Sequence, residues 1–399
     1  MRKSAASIVL KVMMVWILVV YSILLFRRTL LKPVADVLGM DYKFYLGALL
    51  AGAVIALVAC VGIALQKKNP LELTTAKKNY SAAGVMLSVF GVLMISLGAC
   101  YDSVMELFFG EDIMTKDWYS WVGTIAITDV ICLIAVLALA SKIEKTPVEK
   151  HKMTFGQFIS AVFMNAGVIG AGMIIGFFAD QLMFSTVGTM GGQAITDMMM
   201  GSDDFWRILT VGIGAPIVEE LVFRKFLIDR IHKYGEGIAI FVSGIFFGLF
   251  HGNFTQFFFA TGIGLFLAFI YMRTGKIWYT ILLHMVVNLA TSVISMKLVS
   301  MLDLEKMYEF LEMENMMSPE AEEIMMEIMP SMLLFSGWVL FLIASVIVGW
   351  VLLIRNRRKL FLKKAPEHVE KRKLCTAFLN FGMLYFLIMA IVRFTSFYM

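Results

Sequence analysis

Charge is scarce in this chain: 16% of its 399 residues are Asp, Glu, Lys or Arg, against 60% hydrophobic residues. A soluble fold cannot hide that much apolar surface, which excludes an ordinary globular enzyme. Cysteine is scarce too. Cys60, Cys100 and Cys132 lie inside apolar runs and Cys375 heads the last one. No CxxC or zinc-knuckle spacing occurs, so these thiols read as small packing residues. The usual hydrolase signatures are missing as well. There is no GxSxG elbow, no HExxH helix and no cysteine between 203 and 298, and Tyr101-Asp102 has no Gly-x-Gly-Asp partner. The net charge of +5 is small, and the basic residues cluster in short loops beside apolar runs. There they set orientation in a bilayer, and no nucleic-acid partner is expected.

What is abundant is apolar sequence, with a mean hydropathy of +0.82. Runs long enough to cross a hydrocarbon core about 30 Å thick recur from end to end. Spans are read at 8–26, 45–65, 82–101, 118–141, 156–179, 205–224, 237–252, 255–273, 277–297, 331–354 and 376–397. The expected fold is therefore all-α: a polytopic transmembrane helix bundle of about eleven spans with a site inside the bundle. The chain divides into an N-terminal transmembrane region over 1–150 with about four spans, a core over 151–300, a segment over 301–330 and a two-span region over 331–399. Arg2 and Lys3 precede the first run and Arg27-Arg28 follow it without a small-residue cleavage site, which reads as an uncleaved span.

Loop charges choose the orientation. Lys67, Lys68, Lys77 and Lys78 sit in one loop and Lys142, Lys145, Lys150 and Lys152 in another, while the loop between them carries Asp102, Glu106, Glu111, Asp112 and Asp117. With basic loops inside, the N-terminus is cytoplasmic and the C-terminus outside, in a cell membrane. Lys225, Arg230, Lys233 and the run 355–373 then fall inside and the acidic 303–327 stretch falls outside. Arg27, Arg28, Lys32 and Lys43 dissent, in a loop that must lie outside. In the 301–330 stretch, Glu305, Glu309, Glu312 and Glu323 mix with methionines and are punctuated by Pro319 and Pro330. It reads as an extracytoplasmic amphipathic helical hairpin on the membrane surface or as a solvated connector. Gly84, Gly91 and Gly98 recur every seven residues, and Gly172-x-x-x-Gly176 follows, all marking close helix packing.

Three polar pairs interrupt the middle spans: Glu219-Glu220-Leu-Val-Phe-Arg224, Phe247-x-x-x-His251 and His284-x-x-x-Asn288. On insertion scales an isolated Glu or Arg at bilayer centre costs roughly 2.5–3.5 kcal/mol, so such a cluster marks a functional site. Residues four apart on a helix share a face, and adjacent residues diverge by about 100°. Glu220 therefore pairs with Arg224, which leaves Glu219 to face a cavity as the working carboxylate. Pro216 starts or kinks that helix, after the pliant Gly212 and Gly214. Phe247 walls the site beside His251. Asn288 orients the His284 imidazole or donates to a carbonyl oxygen that becomes an oxyanion. With no side-chain nucleophile, the set reads as water activation by Glu219, with or without a metal.

These motifs, in this order across successive helices, resemble the CPBP family, the CAAX-prenyl-protease and bacteriocin-processing (Abi) group of intramembrane proteases, over about residues 203–298. The resemblance implies hydrolysis of a peptide bond within the membrane, on the model of CAAX C-terminal processing. It implies catalytic roles for Glu219, Glu220, His251, His284 and Asn288. Glu219 and His251 would activate water, and His284 and Asn288 would stabilise the oxyanion. Glu220, Arg224 and Phe247 would shape the site. The resemblance also implies a metal as an alternative, with Glu219, His251 and His284 as ligands; two imidazoles and a carboxylate would suit zinc, and a zinc site and a metal-free Glu/His site stay equally open. The substrate would be a membrane-associated protein or peptide, met in the lipid bilayer in a cavity that opens toward the cytoplasmic half. The alternative is a non-catalytic membrane scaffold, immunity protein or chaperone that retains the fold.

Two readings strain against each other. At about 1.5 Å per residue, His251 lies some 20 Å from the start of its span. Glu219, on the span ending at 224, lies near the cytoplasmic side, so the boundaries must shift for the two to meet. Elsewhere Asp129, Asn165 and Lys11 are polar positions in apolar spans. Asp129 and Asn165 read as interhelical bonds or a second polar pathway, and Lys11 as a snorkelling side chain.

Overall fold

The computed structural model describes residues 76–187, 199–200, 202–313, 318–362 and 377–398. The spans read at 8–26 and 45–65, the loop 27–44, Lys11, Cys60 and Cys375 lie outside the described residues. Among those described there is no strand, and the chain is a bundle of helices. Helix α1 is Ala76–Phe109, α2 is Asp117–Ala140 and α3 is Phe155–Val187. A continuous helical run over 204–231 forms α4. Then come α5 (Glu236–His251), α6 (Phe254–Thr274), α7 (Ile277–Ser300), α8 (Leu304–Glu312), α9 (Pro319–Asn356) and α10 (Phe381–Tyr398). Six of these, α1, α2, α3, α6, α7 and α9, are long and apolar enough to cross a membrane, and α5 and 381–391 are shorter apolar helices. Leu333, Leu340, Phe341 and Ile347 on α9 are exposed. A face of that kind is stable against lipid and not against water.

Glycines set how closely the helices approach. A Cβ on Gly84 of α1 would meet the backbone of Gly382 and Met383 at 2.3–2.4 Å, and one on Gly382 would strike the Ser81 carbonyl. The C-terminal helix is thus seated backbone to backbone on α1. Gly91 continues the seam against the Met389 side chain, but Gly98, the third of the series, has nothing within 4 Å and lines a cavity. Gly172 and Gly176 on α3 meet the α6 backbone at Phe259 and Thr255 in the same way.

Interruptions of the α-helical ladder recur in this bundle. Residues 125–132 of α2, 208–214 and 221–226 of α4, and 289–294 of α7 are π-helical. A π segment changes which carbonyls find a partner in the helix, and in an apolar interior any released group needs another donor. Neighbours supply them here. Ser243 donates to the Phe223 carbonyl at 2.8 Å, Arg230 to that of Phe226 at 2.9 Å and Asn288 to that of Val211 at 2.8 Å.

Three expectations are corrected. Pro216 does not open the helical run over 204–231; it lies inside it, two residues past the end of a π segment and in the first turn of the α-helical stretch 215–220. The missing N–H of proline is absorbed where the ladder is already broken. Pro330 does not punctuate the chain either. It lies inside α9, where the apolar run beyond it continues the helix, as bilayer-spanning segments allow. The hydrophilic stretch is thus the short helix α8 folded back on the first turns of α9, with Lys306 bonded to Glu327. Finally, α4 extends to 231 and not to 224. Glu219 lies twelve residues before that end, while His251 lies fifteen residues after the start of α5. The connection at 232–235 is short, so the two residues stand at comparable height, about 18 and 22 Å from it.

The basic segments gather at one end of the bundle. Lys233 pairs with Glu144 at 2.8 Å, Arg273 with Glu236 at 2.5 Å, and the His151 amide donates to the Thr274 carbonyl at 2.8 Å. At the other end Lys297 pairs with Asp204 at 2.8 Å beside the acidic α8.

The backbone seam makes a prediction. Gly84→Leu places a side chain into the Gly382 backbone, and overpacking of this kind costs about 1–3 kcal/mol. Thermal unfolding of the purified protein in detergent should show a lowered midpoint, whereas Gly98→Leu, in open space, should leave it within about 0.5 kcal/mol of wild type.

Candidate active site

Glu220 and Arg224 are both fully buried, with Arg224 Nε 3.2 Å from Glu220 Oε2. The i,i+4 spacing on α4 brings them together, as the sequence indicated. The Arg224 guanidinium also lies over the Phe247 ring, 4.5 Å from its centroid, which links α4 to α5. The other Glu220 oxygen, Oε1, lies 3.0 Å from His284 Nδ1 on α7. The opposite ring nitrogen, Nε2, faces Glu219 Oε2 at 3.7 Å. The imidazole therefore bridges the two adjacent glutamates, which leave the helix in different directions. A chain results: Arg224, Glu220, His284, Glu219.

Phe247 joins this chain to the second motif. Its ring is edge-on to both His284 and His251, at centroid distances of 5.7 and 5.0 Å. Its carbonyl lies 2.9 Å from His251 Nδ1. A carbonyl only accepts, so Nδ1 carries the proton and Nε2 is the nitrogen left for other work. His251 is the last residue of α5. Gly252, at φ +75°, ends that helix in a left-handed turn, and the Asn253 side chain caps α6 by accepting from the Gln256 amide at 2.8 Å.

Glu219 and His251 line one cavity of about 440 Å³. Glu219 is 20% exposed, whereas Glu220 is closed off. Other walls come from outside the three motifs. Phe90, Gly98 and Asp102 of α1 contribute, as do Thr124, Thr128 and Asp129 of α2, Gln256 of α6 and Arg393 of α10. Arg393 donates to the Phe250 carbonyl at 2.6 Å, beside His251.

His284 and Asn288 are not among the residues lining the cavity. His284 is held between the glutamates, and the Asn288 amide donates to the Val211 carbonyl. In this arrangement Asn288 ties α7 to α4. Asp129 lies in the same cavity as Glu219. The lining reaches Asp102 and Ser120, beside the acidic 102–117 segment, and so extends away from the end where the basic segments gather. Among the described residues no three His, Cys, Asp or Glu side chains form a group that could hold a metal ion, and both ring nitrogens of His284 face carboxylates. Arg393 and Gln256 were missed by sequence reasoning. A lone Arg in the last span was the one signal that pointed to the former.

The site is a carboxylate–imidazole chain beneath a cavity in a helical membrane bundle, and known proteins resemble the segment that carries it. Residues 201–290 match the model of the Rce1-like family, described as type II CAAX prenyl endopeptidase Rce1-like. That segment contains all three motifs. The chain is also 33% identical over 107 residues to "Putative membrane peptidase YdiL" of Bacillus subtilis (strain 168), an alignment covering 27% of this chain and 42% of that protein. The alignment thus takes in well under half of the relative's length. No solved structure matches the chain. Over the segment that holds the three motifs, the chain is thus similar to membrane proteases.

The buried pair makes the next prediction. Removing one partner of such a pair costs about 3–5 kcal/mol, because the other charge is stranded. Arg224→Ala should therefore lower the unfolding midpoint in detergent strongly. Arg224→Met together with Glu220→Gln should recover part of the loss, since neither charge is then left alone.

Proposed function

We propose that this protein is an intramembrane endopeptidase that hydrolyses a peptide bond of a membrane-associated substrate with a water activated by Glu219 and His251. The observation that carries this reading is that these two side chains line one cavity while the rest of the polar chain lies behind Glu219. A water between them gives a proton to the Glu219 carboxylate as its oxygen adds to the substrate carbonyl carbon. The proton then passes from Glu219 to the amide nitrogen, and the C–N bond breaks to leave a carboxylic acid and an amine. His251 Nε2 orients the water, and His284 fixes the Glu219 carboxylate from behind.

No step is routed through a metal. The family match supports C-terminal processing of a CAAX-type substrate as the reaction class, and the protein acts in a cell membrane on substrates that reach the bundle from the bilayer. Neither assignment rests on the cavity alone.

The test is cleavage of a fluorogenic peptide by protein reconstituted in nanodiscs. Glu219→Gln and His251→Ala should each lower the rate about 10²–10⁴-fold, the usual worth of a general acid–base group, while both variants elute as the wild type does. Normal cleavage by a well-folded Glu219→Gln variant would overturn the proposal.

A further inference from the structure

Asp129 has no part in the three motifs, yet its placement calls for a role. It sits in the π-helical stretch of α2, in an otherwise apolar span. A carboxylate there is costly to insert unless a partner or a wet cavity offsets it. Among the described residues it makes no hydrogen bond and no ion pair. It faces the cavity that holds Glu219 and His251. Its position is also shaped from the other side. A Cβ on Gly214 would lie 2.7 Å from Asp129 Oδ2, so the absent side chain makes room for this carboxylate against α4, five residues before Glu219.

The charge balance of the cavity says what such a carboxylate would meet. Among the described residues, Asp102, Asp129 and Glu219 contribute three carboxylates to it and Arg393 one guanidinium. Asp102 accepts from the Tyr119 hydroxyl at 2.8 Å, and Glu219 faces His284. Arg393 is engaged by the Phe250 carbonyl and lies 5.5 Å from the Phe250 ring centroid. Asp129 is the carboxylate left over, within a site of net negative charge. An acceptor-only group of this kind selects a cation.

We propose that Asp129 is a specificity-determining residue of this site and receives a positively charged Lys or Arg side chain of the substrate, close to the bond presented to Glu219. The proposal rests on the peptidase reading for its substrate class, but its test separates the two. Binding is measured in nanodiscs for fluorescein-labelled decapeptides that carry one Lys, moved along the sequence, each beside its acetyl-lysine counterpart. In a Glu219→Gln background, at least one register should bind about tenfold tighter with Lys than with acetyl-lysine. Adding Asp129→Asn should bring that ratio close to one, and Asp129→Glu should keep it. Gly214→Ala reaches the same end by another route. Gly214 has ordinary helical dihedrals, so its new methyl group presses chiefly on the Asp129 carboxylate, at 2.7 Å, with the Leu209 carbonyl oxygen next at 3.2 Å. It gives the answer if Asp129→Asn fails to fold. A ratio near one in every register, or a preference that survives both Asp129→Asn and Gly214→Ala, would overturn the assignment. An Asp129-dependent preference in a wild-type protein that cleaves none of the peptides would uphold it and would sink the peptidase reading instead.

Discussion

The contact between Glu220 and Arg224 is what the rest of this site depends on. Both groups are closed off from solvent, and neither would be stable there alone. Once paired, they offer one remaining carboxylate oxygen, which His284 takes up. They also offer a cationic face, against which Phe247 packs. Three helices are thereby fixed to one point by a few polar atoms. Glu219, the adjacent residue, inherits a defined direction because its neighbour cannot move. The preorganisation that a hydrolytic site needs thus comes from groups that need not touch the substrate.

The π segments serve the same end. Each breaks a regular ladder, and in the two segments of α4 side chains of neighbouring helices meet backbone carbonyls. Ser243 and Asn288 bind α4 in this way from α5 and α7. Such bonds are strong glue in a bilayer, where loosely packed apolar helices would otherwise slide. Asn288, whose spacing from His284 suggests a catalytic amide, is used as one of these fasteners. The site is stiff because its irregular backbone is tied down, at just those places where regular helices would leave nothing to hold.

How much of this was legible in the sequence follows from the range of each interaction. Pairs four residues apart depend on helix geometry alone, so Glu220 with Arg224 and Phe247 with His251 could be read directly. The outward direction of Glu219 followed from the first pair, and the close packing at Gly84 and Gly172 followed from residue size. Contacts between distant segments could not be read. Nothing local joins Asn288 to Val211, or Arg393 to Phe250, which lie 77 and 143 residues apart. The π segments carry no composition mark either, which is why α4 was read as ending at 224 and Pro216 as a start or kink. Asp129 was visible as an oddity, but its shared cavity with Glu219 depends on how α2 meets α4.

The seating of α10 on α1 has a consequence for how the protein is made. Arg393 reaches the cavity only because Gly382 lies against Gly84, near the opposite end of the same helix. The motif helices are translated well before α10, so for an interval the growing chain holds its acid and imidazoles without their last wall. Completion of the cavity therefore waits on the synthesis and docking of α10, and a nascent chain that has not yet reached it holds the acid and imidazoles without the chamber that encloses them.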